Sequence, residues 1–369
     1  MRFTVDERYS AERSIVLRYA PSLFPEVDVA ATSRQEGARI LDLGSWRGVH
    51  LKLLDESSRM ASGTYKSLDG CLSTALCRKE GIRRAVFSSG GNAGAALSLY
   101  GATTWLDSYF FCPANNLPKL DGALFERPTA HLIAVEGSDR RVKQAAKRFA
   151  ERIGAPVIPK LEWRMLSASC RGMFLAEQIL GGQRFDWLVQ AVCAGYGPLG
   201  MYRTFERFAG LPVPKFLAVQ QGGLCPIVHA WEQHRDTLPP LSDDRWHETP
   251  IEPALYNVYP DQTYPALFRL LQQCGGSALA VHQAEFDRFA PEFLQRVEQA
   301  GVTLTRRNGQ ILERAGLLAG AGALKAIAEG RIPSGATVLC ALTGGAGPLP
   351  SKPAVPERWI RLEDDLDAD

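Results

Sequence analysis

The chain has 369 residues, of which 46% are apolar and 22% are charged, which are ordinary values for a globular protein with a substantial core. Its 42 Lys and Arg residues against 40 Asp and Glu residues leave a net charge of +2, which gives no basis for binding nucleic acid or an anionic membrane. No apolar stretch approaches the roughly 20 residues of a membrane-spanning helix. The first residues, MRFTVDERYSAERS, lack the apolar segment of a signal peptide.

The eight cysteines are scattered, with no CxxC pair and no clustered histidines. We therefore expect no metal site. Dispersed thiols in a chain without a visible signal peptide are typical of a reducing compartment, so we expect a cytoplasmic protein.

Short apolar runs alternate with segments of helical periodicity along the chain. The runs predict buried strands of a parallel sheet at Arg84–Ser88, Thr103–Leu106, His131–Val135, Trp187–Val192, Phe216–Gln220 and Ala336–Leu342. The periodic segments predict helices at Ser67–Lys79, Asn92–Tyr100, Arg140–Ile153, Arg171–Leu180, Leu199–Phe208, Tyr264–Gln272, Phe286–Gln299 and Leu317–Glu329. This alternation indicates an α/β architecture with right-handed crossovers. The proline-rich stretch Leu238–Pro265 predicts a surface excursion, and the acidic tail Glu363–Asp369 a solvated end.

Two segments in the first quarter of the chain combine small residues with one polar side chain. DESSRMASGTYKSLDG places Lys66 directly before a predicted helix, where an isolated lysine is usually solvated. VFSSGGNAG runs from a predicted strand into glycines, and Asn92 is suited to cap the next helix. Its Ser-Ser-Gly-Gly loop also exposes backbone donors at a strand tip, where α/β folds bind ligands.

Two later segments have the same pattern. In VCAGYGPLG a strand and glycines precede a helix whose N-terminus favours a phosphate. Gly195, Gly197 and Gly200 spell GxGxxG, but the acidic residue that a dinucleotide site needs about 20 residues later is absent near Lys215–Gln220. A packing turn explains this segment equally well. VLCALTGGAGPLP ends a predicted strand in Thr343 and glycines, and alone it indicates only a loop.

In this order, the four segments resemble the fold-type-II pyridoxal-phosphate enzymes, the group of threonine synthase and the tryptophan synthase β subunit. SGTYK is similar to that family's TGSFK, SSGGNAG to its SSGNAG, AGYGPLG to its phosphate loop and LTGGAG to its late LTG element. The resemblance spans Leu51 to Pro348. TYKSLDG, QQGGLCPIVHAW, AGAGALKAIAEG and the TGG triplet further resemble the archaeal-type cysteate synthases.

The resemblance implies an α/β fold of two three-layer αβα domains, with mostly parallel twisted sheets and the active site in the cleft between them. The expected large cofactor-binding domain comprises residues 1–80 and 186–369. The smaller inserted domain, which carries the asparagine loop, comprises residues 81–185. The family is commonly dimeric, so the resemblance also implies a homodimer.

The resemblance implies a role for each motif residue. Lys66 would be the catalytic residue, bound covalently to pyridoxal 5'-phosphate and then acting as general base at Cα, which requires a deprotonated amine. Asn92 would hydrogen-bond the 3-oxygen of the ring, and Thr343 would face the pyridine nitrogen. The cofactor phosphate would lie on the glycine turn, held by Gly195, Tyr196, Gly197, Pro198 and Leu199, of which only Pro198 has no N–H to donate.

The substrate is expected beside the asparagine loop. The backbone donors of a four-residue nest would bind its α-carboxylate: Ser88, Ser89, Gly90 and Gly91. A phosphate leaving group needs cations, and the candidates are Arg59, Lys160 and Arg164, for each of which solvated surface charge is the default interpretation. A neutral Thr343 hydroxyl leaves the ring a weaker electron sink, which favours elimination at Cβ followed by addition over transamination.

Three departures from the family pattern bear on the substrate. The Asn-Pro before the lysine motif is absent, Tyr65 replaces the usual Phe or His, and the Glu-Pro-Ser-type segment reads Glu313-Arg314-Ala315-Gly316. The leading hypothesis is β-replacement on a phosphorylated or otherwise activated serine-type amino acid through an aminoacrylate intermediate, as in O-phosphoserine plus sulfite giving cysteate plus phosphate. The partners would be this amino acid and a small nucleophile. The alternatives are threonine synthase-like γ-replacement, a β-elimination lyase, a nucleotide-binding or oxidoreductase module, and a non-catalytic amino-acid-binding scaffold.

Overall fold

The computed structural model describes residues 4–239, 249–255, 257, 259–364 and 366. Its strands are β1 (Arg39–Trp46), β2 (Val49–Asp55), β3 (Arg84–Ser88), β4 (Asp107–Pro113), β5 (Ala130–Val135), β6 (Trp187–Ala191), β7 (Lys215–Gln221), β8 (Ser277–Val281), β9 (Arg306–Arg307), β10 (Gln310–Ile311), β11 (Thr337–Leu342) and β12 (Arg358–Ile360). Its helices are α1 (Ile15–Leu23), α2 (Lys66–Lys79), α3 (Asn92–Gly101), α4 (Asp139–Ile153), α5 (Leu161–Leu180), α6 (Tyr196–Phe205), α7 (Pro226–Glu232), α8 (Tyr264–Cys274), α9 (Gln283–Gln299) and α10 (Ala315–Ala328). None of these helices is long and apolar enough to cross a bilayer.

Two sheets organise these elements. The larger has the order β1-β2-β11-β6-β7-β8, in which only the β1–β2 pair is antiparallel. The smaller has the order β12-β5-β4-β3 and is parallel throughout. Strands β9 and β10 form a separate short hairpin. The predicted α/β architecture with mostly parallel sheets is therefore confirmed.

Both faces of the central strands of each sheet are buried, which explains why these strands appear as continuous apolar runs. In β6, Val189 packs with α9 and α10 on one face, whereas Leu188 packs with α2, α5 and α6 on the other. In β3, Val86 packs against α4, whereas Phe87 joins the core shared with α3 and the larger sheet. Each sheet is thus the middle of three layers, and one apolar core lies between the two sheets.

The predicted strands agree with the structure within one residue at each end, except for Thr103–Leu106. This prediction is wrong, because these residues form turns and the strand begins at Asp107. The Thr103 hydroxyl donates to the carbonyl of Tyr100 at 2.7 Å, which closes a turn at the end of α3. The β-branched residues that favour a strand here are therefore used as local hydrogen-bond donors.

Predicted helices agree with the structure within three residues at each end, except Arg171–Leu180. That segment is the second half of α5, which begins at Leu161. The sequence did not predict several elements that carry charged or partly exposed residues or are very short: α1, β1, β2, α7, β8, β9, β10 and β12. In the β1–β2 hairpin most β1 residues are partly exposed, so the apolar pattern is weak.

The proline-rich stretch is more than a surface excursion. Residues 240–248, 256 and 258 lie outside the described residues, but Ile251 and Glu252 are only 2% and 1% exposed. The Thr263 hydroxyl donates to the carbonyl of Ala194. The expectation is therefore wrong for the described part, which packs against the residues after β6. In the acidic tail, residues 365 and 367–369 are likewise outside the described residues.

The last strand does not join the larger sheet. Although residues 186–369 were expected in the large domain, Arg358–Ile360 pairs with Ile133–Val135 in the smaller sheet. The chain therefore returns to the smaller sheet at its end, and the remaining domain boundaries stay a prediction.

Candidate active site

All four motif segments contribute to one cavity of about 180 Å³, which is lined by elements of both sheets. Lys66 begins α2, Asn92 begins α3, the glycine turn precedes α6, and Thr343 directly follows β11. The asparagine loop, the glycine turn and Thr343 follow the carboxyl ends of parallel strands, where open α/β sheets bind their ligands.

The chain before Lys66 is tied to the loop after β11. Tyr65 N–H donates to the carbonyl of Thr343 at 2.9 Å, and Ala346 N–H donates to Ser57 Oγ at 2.7 Å. Gly63 has φ +68, and a Cβ on it would lie 2.4 Å from Gly347 Cα. Only glycine permits this close approach, which fixes the position of Lys66 relative to Thr343.

The amine of Lys66 is held as an ammonium by a buried carboxylate. Its Nζ lies 2.9 Å from Asp69 Oδ2 and 4.4 Å from the centroid of the Tyr65 ring. Burial by itself lowers the pKa of Lys66, but the Asp69 charge opposes it and the resulting pKa is above the ordinary value. The Ser167 hydroxyl donates to the other Asp69 oxygen and stabilises this carboxylate. The expected deprotonated amine, which was tied to the linkage with the cofactor, stays a prediction, and without cofactor Asp69 opposes it.

Asn92 is oriented by Glu313. Asn92 Nδ2 donates to Glu313 Oε2 at 3.0 Å, which leaves its second amide hydrogen for another acceptor. Burial and the negative charge of Glu252 raise the pKa of Glu313 to about 8. Glu313 is therefore mainly a neutral acid at neutral pH, and its carbonyl oxygen accepts the bond from Asn92.

Some backbone N–H groups of the loop before Asn92 already donate hydrogen bonds within the protein. Ser89 Oγ accepts the N–H groups of Gly91 at 3.1 Å and Gly94 at 2.9 Å, and Ser89 N–H itself donates to Phe111 O at 3.4 Å. Ser88, Ser89 and Gly90 line the cavity, whereas Gly91 does not. The predicted four-residue nest is therefore corrected, because the N–H groups of Ser89 and Gly91 already have acceptors.

The glycine turn presents the N-terminus of α6 to the cavity. Gly195 has φ +83, a left-handed conformation that favours glycine, and caps the helix. Tyr196 and Gly197 form its first turn, and within the described part of the chain their N–H groups have no backbone acceptor. Leu199 N–H instead donates to Gly195 O at 3.2 Å, so its predicted phosphate contact is wrong. Pro198 also lines the cavity.

Two cations besides Lys66 line the cavity. The guanidinium carbon of Arg164 lies 5.5 Å from the centroid of the Tyr196 ring, and Lys143 Nζ pairs with Asp139 at 2.5 Å. The other two predicted cations lie elsewhere. Arg59 pairs with Glu12 at 3.4 Å, and Lys160 pairs with Glu80 at 3.2 Å, so the predicted substrate contacts of Arg59 and Lys160 are corrected.

Several lining residues were not predicted from the sequence. Gln190 is a polar residue inside an apolar run, which is a signal that could have been used. Asp139 and Lys143 lie on the strongly amphipathic helix α4, where charges are usually solvated. Leu255 and Asn257 belong to the proline-rich stretch, for which local sequence gives no indication of burial at a site.

Family comparison agrees with this arrangement. Residues 42–344 match the family described as "Pyridoxal-phosphate dependent enzyme". The chain belongs to this family. It is 24% identical over 302 residues to a cysteate synthase of Methanosarcina barkeri, a match that covers 76% of this chain and 68% of the relative. It is 24% identical over 349 residues to a threonine synthase of Methanosarcina acetivorans, a match that covers 92% of this chain and 81% of the relative.

Solved structures show the same fold. A pyridoxal 5'-phosphate-dependent aspartate racemase matches with a TM-score of 0.65 and 16% identity, covering 84% of this chain and 90% of the other. Threonine deaminase isoform 2 of Solanum lycopersicum matches with a TM-score of 0.64 and 16% identity, with 87% of each chain covered. The predicted fold-type-II architecture is confirmed.

The protein is thus a pyridoxal-phosphate-dependent enzyme. Its residues fit the cofactor, since one cavity holds a lysine amine, an amide with a spare hydrogen and the open N-terminus of a helix. These three groups suit an aldehyde, a ring oxygen and a phosphate respectively.

Proposed function

We propose that this enzyme catalyses β-replacement on a phosphorylated serine-type amino acid, converting O-phosphoserine and sulfite into cysteate and phosphate. The observation that carries the proposal is the presence of Arg164 and Lys143 in the same cavity as Lys66. Both the leaving group and the nucleophile of this reaction are anions, which the Arg164 guanidinium would stabilise, whereas Lys143 is paired with Asp139 in the same cavity. Similarity to proteins named cysteate synthase supports the same substrates.

Pyridoxal phosphate, when bound, supplies an aldehyde for covalent attachment and a conjugated ring that withdraws electrons from Cα. Lys66 Nζ would hold the aldehyde and, as a free amine, would take the proton from Cα. Asn92 would donate its spare amide hydrogen to the ring oxygen, because Glu313 accepts the other one. The N–H groups of Tyr196 and Gly197, with the dipole of α6, would hold the cofactor phosphate.

The residue opposite the pyridine nitrogen would be Thr343. The residue is buried and its hydroxyl is neutral, so it would not stabilise a protonated ring as a carboxylate does. This environment favours loss of a good leaving group at Cβ. The N–H groups of Gly90, Asn92 and Ala93 would bind the substrate α-carboxylate, since the N–H group of Gly94 donates to Ser89 Oγ.

The proposed replacement exchanges a Cβ–O bond for a Cβ–S bond. The Cα–H and Cβ–O bonds break, and phosphate leaves with the Cβ–O electron pair. Sulfite sulfur then forms the Cβ–S bond, and Lys66 returns a proton to Cα. Arg164 would bind the departing phosphate first and sulfite next, because its guanidinium contacts the Tyr196 ring and forms no ion pair within 4 Å among the described residues, although its charge also acts on the Asp69 carboxylate.

A second candidate is γ-replacement of the threonine synthase type, since a threonine synthase relative covers 92% of this chain. It requires O-phosphohomoserine and gives threonine. A β-elimination lyase would instead release a keto acid and ammonia without a nucleophile.

The test uses the holoenzyme with O-phosphoserine, O-acetylserine or O-phosphohomoserine, each with and without sulfite. We expect sulfite-dependent release of phosphate and formation of cysteate from O-phosphoserine. Threonine from O-phosphohomoserine, or keto acid from O-phosphoserine without sulfite, would replace the proposal by one of the two alternatives. No product from any of the three would exclude phosphorylated and acetylated serine-type substrates.

We also propose that the enzyme is a homodimer of the cytoplasm. Light scattering on the purified holoenzyme tests the first statement, with twice the mass of one chain expected. Cell fractionation tests the second.

A further inference from the structure

A buried arginine lies behind the glycine turn. Arg171, on α5, is fully buried and pairs with Glu56 through Nε at 2.6 Å and Nη2 at 2.5 Å. Nη2 also donates to Gln190 Oε1 at 2.8 Å. Nη1 has no hydrogen-bond partner among the described residues. A buried N–H without an acceptor is rare and destabilising, so Nη1 indicates a missing acceptor.

Nη1 lies against Gly197, where a side chain would clash with it. A Cβ on Gly197 would lie 2.8 Å from Arg171 Nη1, 3.3 Å from the Tyr65 hydroxyl and 3.5 Å from Gln190 Nε2. Gly197 has no positive φ, so the backbone conformation does not require glycine there. Three donors from α5, β6 and the lysine loop therefore surround one spot beside the first turn of α6.

The chemistry of this spot favours an anionic oxygen. Arg171 remains charged, because burial is outweighed by Glu56 and the net pKa shift is upward. The α6 N-terminus adds the free N–H groups of Tyr196 and Gly197. Guanidinium and helix N–H groups together are typical of a phosphate site.

The position relative to Lys66 agrees with the cofactor. The Tyr65 ring centroid lies 4.7 Å from Arg171 Cζ and 4.4 Å from Lys66 Nζ, so the ring contacts both cations. In pyridoxal phosphate the phosphate arm and the aldehyde are attached to neighbouring ring carbons. A phosphate-binding cation one aromatic ring away from the aldehyde-binding amine therefore fits the molecule.

We propose that Arg171, with Gln190, forms a side-chain part of the cofactor-phosphate site behind the glycine turn. Glu56 is a positioning residue that fixes the guanidinium. This assignment does not depend on which amino acid is the substrate.

The test is the double variant Glu56→Gln/Arg171→Met, which removes both buried charges and leaves neither one unpaired. The cofactor dissociation constant is measured by fluorescence, and the bound phosphate is titrated by phosphorus NMR. We expect at least about tenfold weaker binding, and a phosphate that titrates near its ordinary value of about pH 6 rather than staying dianionic. The matched control is Arg18→Met/Glu177→Gln, which removes another ion pair anchored on α5, with no expected change in either readout.

Unchanged affinity and unchanged titration in a folded double variant would overturn the proposal and leave Arg171 with a structural role beside a bound water. If the double variant does not fold, Gln190→Glu decides, since it keeps the Arg171–Glu56 pair and places a negative charge among the donors. Weaker cofactor binding by Gln190→Glu, with the phosphate titration shifted, supports the proposal. Wild-type values contradict it.

Discussion

The amine of Lys66 lies 2.9 Å from the carboxylate of Asp69, one turn further along α2, and both side chains are largely buried. This carboxylate holds a proton on the amine that must react with an aldehyde. Formation of the holoenzyme therefore competes with an internal ion pair.

Asp69→Asn removes this competition. Because the Asp69 charge keeps the pKa of Lys66 high, the variant should attach cofactor at lower pH than the wild type. We expect the pH midpoint of the attachment rate to fall by about one unit or more. Stopped-flow absorbance on the apo-protein measures it. Asp139→Asn, which breaks the Lys143 pair in the same cavity, is the control, and an equal shift there would contradict the assignment.

Glu313→Gln should change how stability depends on pH. The pKa of Glu313 is about 8 in the fold against an ordinary value of 4.5, so the native state binds more protons between these limits. This group therefore lowers the stability as pH rises through that window. We therefore expect the free energy of unfolding of the variant, relative to that of the wild type, to rise by a few kcal/mol between about pH 5 and about pH 9. Urea unfolding of the apo-protein measures it.

Glutamine keeps an acceptor for Asn92, so the fold of the loop should be retained. Glu151→Gln, on the exposed side of α4, is the control and should parallel the wild type at both pH values. If the free energies of unfolding of Glu313→Gln and the wild type differed by the same amount at both pH values, Glu313 would not have a raised pKa in the fold.

Gly63→Ala tests the contact between the lysine loop and the loop after β11. A methyl group there would meet Gly347 at 2.4 Å, in addition to the strain of φ +68. Gly81→Ala has the same kind of strain, at φ +70, with nothing within 4 Å. We expect Gly81→Ala to cost about 1–2 kcal/mol and Gly63→Ala clearly more, measured by urea unfolding. Equal losses would show that the loop contact is dispensable.

Arg164→Met should impair only phosphorylated substrates. Loss of a charged hydrogen-bond partner should raise the KM for O-phosphoserine about tenfold or more and leave that for O-acetylserine nearly unchanged. Arg59→Met removes an exposed arginine that pairs with Glu12 outside the cavity, and should behave as the wild type. Equal effects of Arg164→Met on both substrates would argue against a phosphate contact.

The strands and helices that carry the motifs could be predicted because their signals are local. Arg84–Ser88 is a short apolar run before glycines, and it matches the structure at both ends. Thr103–Leu106 failed because its threonines hydrogen-bond to the end of α3 instead of joining a sheet. The short edge strand Arg358–Ile360 is stabilised by pairing with β5, which no local pattern indicates.

The site was predictable only where one segment carries its own signal. Lys66, Asn92 and Thr343 stand in motifs and line the cavity together. Glu313 contacts Asn92 across 221 positions of the chain, and Arg171 pairs with Glu56 across 115. Such contacts depend on the tertiary packing of helices that look ordinary in sequence. The ion pair of Lys66 with Asp69 is a different case, because the two residues lie three positions apart on α2 and the contact is local.

Covalent attachment of the cofactor to Lys66 is tested by borohydride reduction of the holoenzyme followed by peptide mass spectrometry. We expect the cofactor mass on the peptide that contains Lys66, and loss of the visible absorption band in Lys66→Ala. Lys143 lines the same cavity and serves as an internal comparison. Cofactor on Lys143 or any other lysine, with Lys66 unmodified, would show that Lys66 is not the residue that binds it.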